Sequence, residues 1–252
     1  MGVFFKKQSK VYFSNQEEVI KYWMEEGAQH LDEASVDDMI DLMIDDLTFK
    51  ILTEFYSNNL IIKPDNLRIL DAGCGWGRSL FGLKRKFPEI TITGVDVTEP
   101  LLDLGNNISK KLKINGIVWE KGNLLQLDYN DNHFDSIIST RVLHYIVEPK
   151  KVINELLRVL RPGGRMIIIV PNKYNPLIYF KYHTQVYSSS EISNWFPPNQ
   201  IKNFRIGSMG FIPPFKYLRK FNKLVIIEKI MRKIPILNKM GGLAYCLIDK
   251  KG

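Results

Sequence analysis

The sequence predicts an α/β fold: a doubly wound, mostly parallel sheet of seven strands with an N-terminal helical lid. Three observations lead there. Between residues 67 and 170, short apolar runs alternate with helical stretches, and strands separated by helices pair in parallel through right-handed crossovers. The first apolar run ends in a tight cluster of glycines. The last one, Met166-Ile167-Ile168-Ile169-Val170, is apolar enough to be buried on both faces.

Each element has its own signal. Residues 16–58 read as helical, because Val19, Tyr22 and Trp23, and then Met39, Leu42, Met43, Leu47, Ile51, Leu52 and Phe55, recur at roughly helical spacing. Lys63-Pro64-Asp65-Asn66 punctuates the end of that region, so residues 1–62 are assigned to the lid and 63–252 to the core. Residues 67–72 form a strand that runs into the glycines, 79–87 a helix closed by Pro88, 91–97 a β-branched strand and 101–112 a helix. Strands follow at 117–121 and 134–139, then a helix at 149–160 with Leu156, Leu157 and Leu160 on its apolar side. Arg161-Pro162-Gly163-Gly164 reads as a turn into the strand over 165–170. Beyond it lie a short helix at 190–196, with Ser190 as N-cap ahead of Glu191, a strand at 203–212, a helix at 215–234 and a last strand at 243–248. The helix at 215–234 carries Tyr217, Phe221, Leu224, Ile227, Met231 and Ile234 on one side, and that side is expected to pack on the domain.

Bulk properties narrow the class. A chain of 252 residues, 45% hydrophobic and 25% charged, suits one large globular domain. Cys74 and Cys246 provide neither a metal site nor a disulfide framework. Residues 1–15 lack a signal-peptide core, and no run approaches the ~18 uncharged apolar residues of a membrane span, so a reducing, cytoplasmic setting is expected. The net charge of +8 is uneven: residues 16–47 are acidic, and from Arg205 onward Lys216, Lys220, Lys223, Arg232 and Lys233 make the chain basic. Such an end attracts phosphates, nucleic acid or an anionic membrane surface; a solvated helix face is the favoured reading.

The segment Leu70-Asp71-Ala72-Gly73-Cys74-Gly75-Trp76-Gly77 carries the chemistry. Glycines after a strand let the backbone bend sharply and let a ligand lie against the main chain, beside the amides that open the next helix. The dinucleotide pattern G-x-G-x-x-G would need a glycine at position 78, which is Arg78. Asp71, two residues before Gly73 at the end of the strand, would repel a pyrophosphate but suits a ligand bearing an ammonium group. Asp96 ends the next strand, where strand termini line the ligand crevice of a doubly wound sheet, and a carboxylate there accepts hydrogen bonds from ribose hydroxyls.

These motifs resemble, in order, those of class I S-adenosylmethionine-dependent methyltransferases of the small-molecule type, whose fold is Rossmann-like. The resemblance covers roughly residues 16–172: the glycine segment, Val95-Asp96, Gly122-Asn123-Leu124, the strand from Phe134, the run Leu157 to Arg165, and Tyr22-Trp23 ahead of the core. It implies S-adenosylmethionine as cofactor, with Asp71, Gly73 and Gly75 on its methionine part, Asp96 on the ribose and Val97 against the adenine. It also implies that Asn123, standing where the family usually has aspartate, accepts from the adenine amino group, that Leu124 packs beside it, and that Tyr22 closes over the cofactor. No metal is implied. If Asn123 instead caps a turn, Leu124 and Leu125 still pack on the adenine. The blander roles are helix–sheet packing for Gly77, a filler for Cys74, and shielding or packing for Trp76.

The implied reaction is methyl transfer to a small-molecule acceptor, lipid-linked or natural-product in kind. The acceptor site is assigned to insertions at about 172–200 and 213–241. A base is needed only for an acceptor that must lose a proton. His144, after the fourth strand, is the candidate; Arg141 is a candidate to orient an anionic acceptor, His183 is weaker, and Tyr174, Tyr179, Tyr182 and Tyr187 are candidate pocket walls. The basic helix near 215–234 is the candidate for peripheral membrane contact, and no nucleic-acid partner is expected. Alternatives are an RNA methyltransferase that uses the basic end, a non-catalytic cofactor-binding subunit and, more remotely, an NAD-dependent oxidoreductase.

Overall fold

The computed structural model describes residues 15, 17–19, 21–23, 25, 47–60, 67–175, 185–211 and 223–252. Much of the expected lid lies outside them, as do Tyr179, Tyr182 and His183. Within the lid, residues 17–19, 21–23 and 25 are helical. Helix α1 spans Leu47–Asn59, followed by β1 (Arg68–Ala72), α2 (Arg78–Lys86), β2 (Thr91–Asp96), α3 (Glu99–Leu112) and β3 (Ile117–Lys121). Then come β4 (Phe134–Thr140), α4 (Pro149–Val159), β5 (Leu160–Pro171), α5 (Ser189–Ser193), β6 (Ile201–Met209), α6 (Lys223–Lys233) and β7 (Leu243–Lys250).

The strands form one sheet in the order β3-β2-β1-β4-β5-β7-β6. β1 to β5 are mutually parallel, and β7 inserts antiparallel between β5 and β6. The order reverses at β1, which pairs with both β2 and β4; this is the switch point at which ligands bind in open α/β sheets. The mostly parallel seven-stranded sheet expected from the sequence is what forms, with its antiparallel pairings confined to β7.

Period-two alternation divides the core. Leu70, Ile137, Met166 and Ile168 face α4, whose stripe of Val152, Ile153, Leu156 and Leu157 is buried. Ile69, Ile138, Ile167 and Ile169 face the other way, onto Ile51, Phe55 and Tyr56 of α1 and Leu80 and Leu83 of α2. The β5 isoleucines are therefore buried from both sides, as their unbroken run requires.

Three local expectations are corrected. Residues 161–164 are not a free turn but lie within β5, where Phe134 faces Leu160 and Ser136 faces Arg165. The extra residues bulge out, with Gly163 at φ 68°, and Arg161 Nε reaches Asp135 Oδ1 at 2.5 Å. The N-cap of α5 is Ser188, not Ser190. Ser188 Oγ accepts from the Glu191 amide and Glu191 Oε2 accepts from the Ser188 amide, a capping box that Ser190 is one residue from its glutamate and cannot make. Finally, the expected helix at 215–234 is described only from Lys223, as α6, its earlier part lying outside the described residues, and the isoleucines of α6 face outward rather than onto the domain. Its inward contacts are made by Lys229, which donates to Glu54 Oε1 at 2.7 Å, and by Arg232, whose guanidinium lies 5.4 Å from the Phe55 ring centroid.

Candidate functional site

The bend between β1 and α2 is hung from the end of β2. The Val95 carbonyl accepts from the amides of Gly73 (2.8 Å) and Cys74 (3.0 Å). Asp96 holds the next part: Oδ2 accepts from the Gly75 amide at 2.8 Å and Oδ1 from the Thr98 amide at 2.9 Å. Gly73, Gly75 and Asp96 are thus one hydrogen-bonded unit. Each carboxylate oxygen keeps a second lone pair for a ligand hydroxyl.

The three bend glycines all have positive φ, at 77°, 53° and 90°, but for different spatial reasons. A Cβ on Gly73 would stand 2.4 Å from Val142 Cγ2, and one on Gly77 would stand 2.2 Å from the Trp119 ring. Gly77 therefore serves packing, with the Trp119 ring edge wedged between it and Gly105. At Gly75 the nearest atom is Leu101 Cδ1 at 3.9 Å, so its backbone faces open space that a ligand can occupy. Cys74 fills the turn beside Gly94, and burial, with Asp71 and Asp96 nearby, pushes its thiol well above the usual range.

Asp71 is buried, and its Oδ2 has no hydrogen-bond partner among the described residues. Burial, reinforced by the charge of Asp96, raises its pKa to about 8. A buried carboxyl in that state is poised for a cationic partner.

His144 lies in a 3-10 turn, Leu143–Tyr145, that follows β4. It is 1% exposed, and burial, aided by Arg141, holds its pKa well below the usual value, so the imidazole is neutral near pH 7. Its ring sits 3.9 Å from that of Tyr145, which meets Trp23 at 4.8 Å, which in turn meets Tyr22 at 5.5 Å. This ladder brings Tyr22 to the carboxyl end of β4. Arg141, just past β4, is exposed and adopts a left-handed backbone at φ 60°.

Past β3, Asn123 caps its own turn: Oδ1 accepts from the Leu125 amide at 3.0 Å. Leu124 is buried in the core beside Val95, and Val97 is half-buried just beyond β2. Gly122 donates its amide to the Asp96 carbonyl at 3.0 Å, which ties this turn to the bend.

A family model described as a methyltransferase domain matches residues 63–223. The chain belongs to that family. An uncharacterized methyltransferase of Schizosaccharomyces pombe is 36% identical over 43% of this chain and 41% of its own length. A mitochondrial 2-methoxy-6-polyprenyl-1,4-benzoquinol methylase of Caenorhabditis elegans is 28% identical over 56% of this chain and 52% of its own. The chain thus spans about half the length of these curated relatives. Geranyl diphosphate C-methyltransferase from Streptomyces coelicolor, solved with Mg2+, geranyl diphosphate and S-adenosyl-L-homocysteine, superposes with a TM-score of 0.63. That match covers 95% of this chain and 98% of the other at 20% identity, a likeness of fold.

Other residues of this methyltransferase domain are not evident from the sequence. Val142 fills the space that Gly73 leaves, and Thr98 closes on Asp96. Tyr56 of α1 is fully buried and hydrogen-bonds the Thr140 hydroxyl at the end of β4. Only its position one residue after Phe55, in a helix apolar on adjacent faces, hints at burial. Of the aromatic insertion, Tyr174 is exposed, and Tyr187 packs edge-on to Trp195 at 4.6 Å as part of a small core rather than as an open wall.

Proposed function

We propose that this chain binds S-adenosylmethionine at the Gly73–Gly77 bend and transfers its methyl group to a small, largely apolar acceptor. The observation that carries the reading is the pairing of an open backbone at Gly75, held by Asp96, with a buried and unpartnered oxygen on Asp71. Both fit the cofactor: the cradle admits a ligand against the main chain, and the carboxyl awaits an ammonium group. In this reading Asp71 holds the amino group, Gly73 and Gly75 line the methionine part, Asp96 accepts from the ribose hydroxyls, and Val97, Leu124 and Tyr22 exclude water around the adenine. Asn123 keeps one lone pair of Oδ1 for the adenine amino group beside its own turn.

When bound, the cofactor supplies an electrophilic methyl group on a sulfonium. The protein's part is to align the acceptor with it and to keep water out. Where the acceptor must lose a proton, His144 takes it, being neutral at physiological pH. Its buried position restricts that role to a group that reaches it inside the closed site. The quinol-directed name of a relative and the isoprenoid-directed name of a structural neighbour support an apolar acceptor. A labelled-methyl assay against quinols, isoprenoid lipids, polar metabolites and RNA tests this reading. Transfer to the apolar pools is expected, and label recovered only in RNA would overturn it.

A further inference from the structure

Helix α6 presents large apolar side chains to solvent. A surface helix ordinarily turns its apolar stripe to the core and its charges to water. Here the charged residues Lys229 and Arg232 grip Glu54 and Phe55 of α1, while Ile226, Ile230 and Ile234, spaced four apart, face outward at 58%, 56% and 43% exposure, with Ile227 alongside. The Glu54 carboxylate pairs with both Lys229, at 2.7 Å, and Lys86 of α2, at 3.0 Å, and this contact orients the helix with its isoleucines out.

The apolar strip continues past the helix through Ile236 and Met240, both exposed. The turn between them, Leu237–Lys239, is stitched to the carboxyl end of β5. Asn172 Nδ2 donates to the carbonyls of Lys239 (2.9 Å) and Gly241 (2.7 Å), and Asn175 Nδ2 to that of Met240 (2.8 Å). The exposed ring of Tyr174 lies between those two asparagines in the chain. Because β5 is parallel to β1 and β2, the strip ends on the same edge of the sheet as the glycine bend.

We propose that this strip docks the protein on an anionic bilayer surface, with the isoleucines among the acyl chains and the flanking lysines at the phosphates. Charge selects that occupant. Lys229 and Arg232 are taken up by α1, but Lys233 and Lys239 are exposed at the margins of the strip. A face that is apolar at its centre and cationic at its rim matches the interface of an anionic membrane. Docked this way, the carboxyl edge of the sheet turns toward the lipid, so an apolar acceptor reaches the site without crossing water.

The test is sedimentation of the full chain with vesicles of phosphatidylcholine alone and of phosphatidylcholine mixed with phosphatidylglycerol. It reads binding without turnover, so its failure leaves the methyl-transfer reading untouched. Binding is expected to the anionic vesicles and to weaken with salt. The double variant I226E/I230E should lower the partition coefficient at least about tenfold, and K233E/K239E, which leaves the isoleucines in place, should weaken it and flatten its salt dependence. Thermal melts of both variants check that the fold persists. Failure of wild type to bind, or undiminished binding by both variants, overturns the proposal. So does a self-association of the wild type that I226E/I230E abolishes in the absence of vesicles, which would assign the strip to a second copy of the chain.

Discussion

Asp71 gives the sharpest quantitative handle on the proposed site. With a pKa of about 8, about nine-tenths of this carboxyl is protonated at pH 7 in the ligand-free protein. A ligand ammonium beside it stabilises the ionised form and drives the proton off. Binding of S-adenosylmethionine should therefore release most of a proton per site at pH 7, and its affinity should rise up to about tenfold per pH unit below the carboxyl's raised pKa. Titration calorimetry in phosphate and in Tris, which differ in ionisation enthalpy, measures that proton directly. Asp71→Asn, close in shape and unable to ionise, is the control, and it isolates any proton that comes from the ligand's own amine. The same linkage acts on stability. The folded state retains a proton that the unfolded chain gives up near pH 4, so Asp71 costs stability as pH rises from about 4 to about 8. The ligand-free melting temperature should fall across that window less steeply in Asp71→Asn. Equal proton release by wild type and variant would refute the assignment of the ammonium to Asp71.

Other residues of the bend give separable outcomes. Asp96→Ala strips the acceptor from the Gly75 and Thr98 amides and should cost about 1–3 kcal/mol in a denaturant melt as well as most of the cofactor affinity; unchanged affinity contradicts the ribose role. Gly75→Ala meets no steric obstacle and should lose only the ~1–2 kcal/mol of a left-handed backbone while still weakening cofactor binding. Gly73→Ala collides with Val142 and should destabilise more, with part recovered in the Gly73→Ala/Val142→Ala double variant. His144→Ala should leave cofactor affinity intact and remove the acid limb of the pH–rate profile, which lies below pH ~6.5 because burial lowers the imidazole pKa. Loss of cofactor binding instead would make His144 a support for the site rather than a base.

The sheet was legible because its signals are local and repeated. Alternating strand and helix periods, the isoleucine run of β5 and the glycines after β1 each constrain the backbone where they stand. Asp71 and Asp96 were legible for the same reason: a carboxylate in the last two residues of a parallel strand has its place fixed by the strand. What escaped depends on partners distant in sequence. A stripe of isoleucines says that a helix has two faces but not which one packs. In α6, Lys229 meets Glu54, 175 residues earlier, and Arg232 meets Phe55. Val142 and Trp119 matter because they occupy the space glycines leave, and nothing in their own surroundings marks them. The Arg161–Gly164 segment carries turn chemistry yet bulges within a strand, since Arg161 is pinned to Asp135 across the pair. Ser188, by contrast, was findable: serine three residues before Glu191 is the capping-box spacing.

The claim on which the rest depends is that the Gly73–Gly77 bend receives a cationic sulfur nucleoside. Calorimetric titration of the full chain with S-adenosylmethionine, S-adenosylhomocysteine and NAD tests it directly. Saturable binding of the first two, lost in Asp96→Ala and absent for NAD, is the predicted result. Tighter binding of NAD, or binding of S-adenosylmethionine that survives Asp96→Ala and Gly75→Ala unchanged, would contradict it.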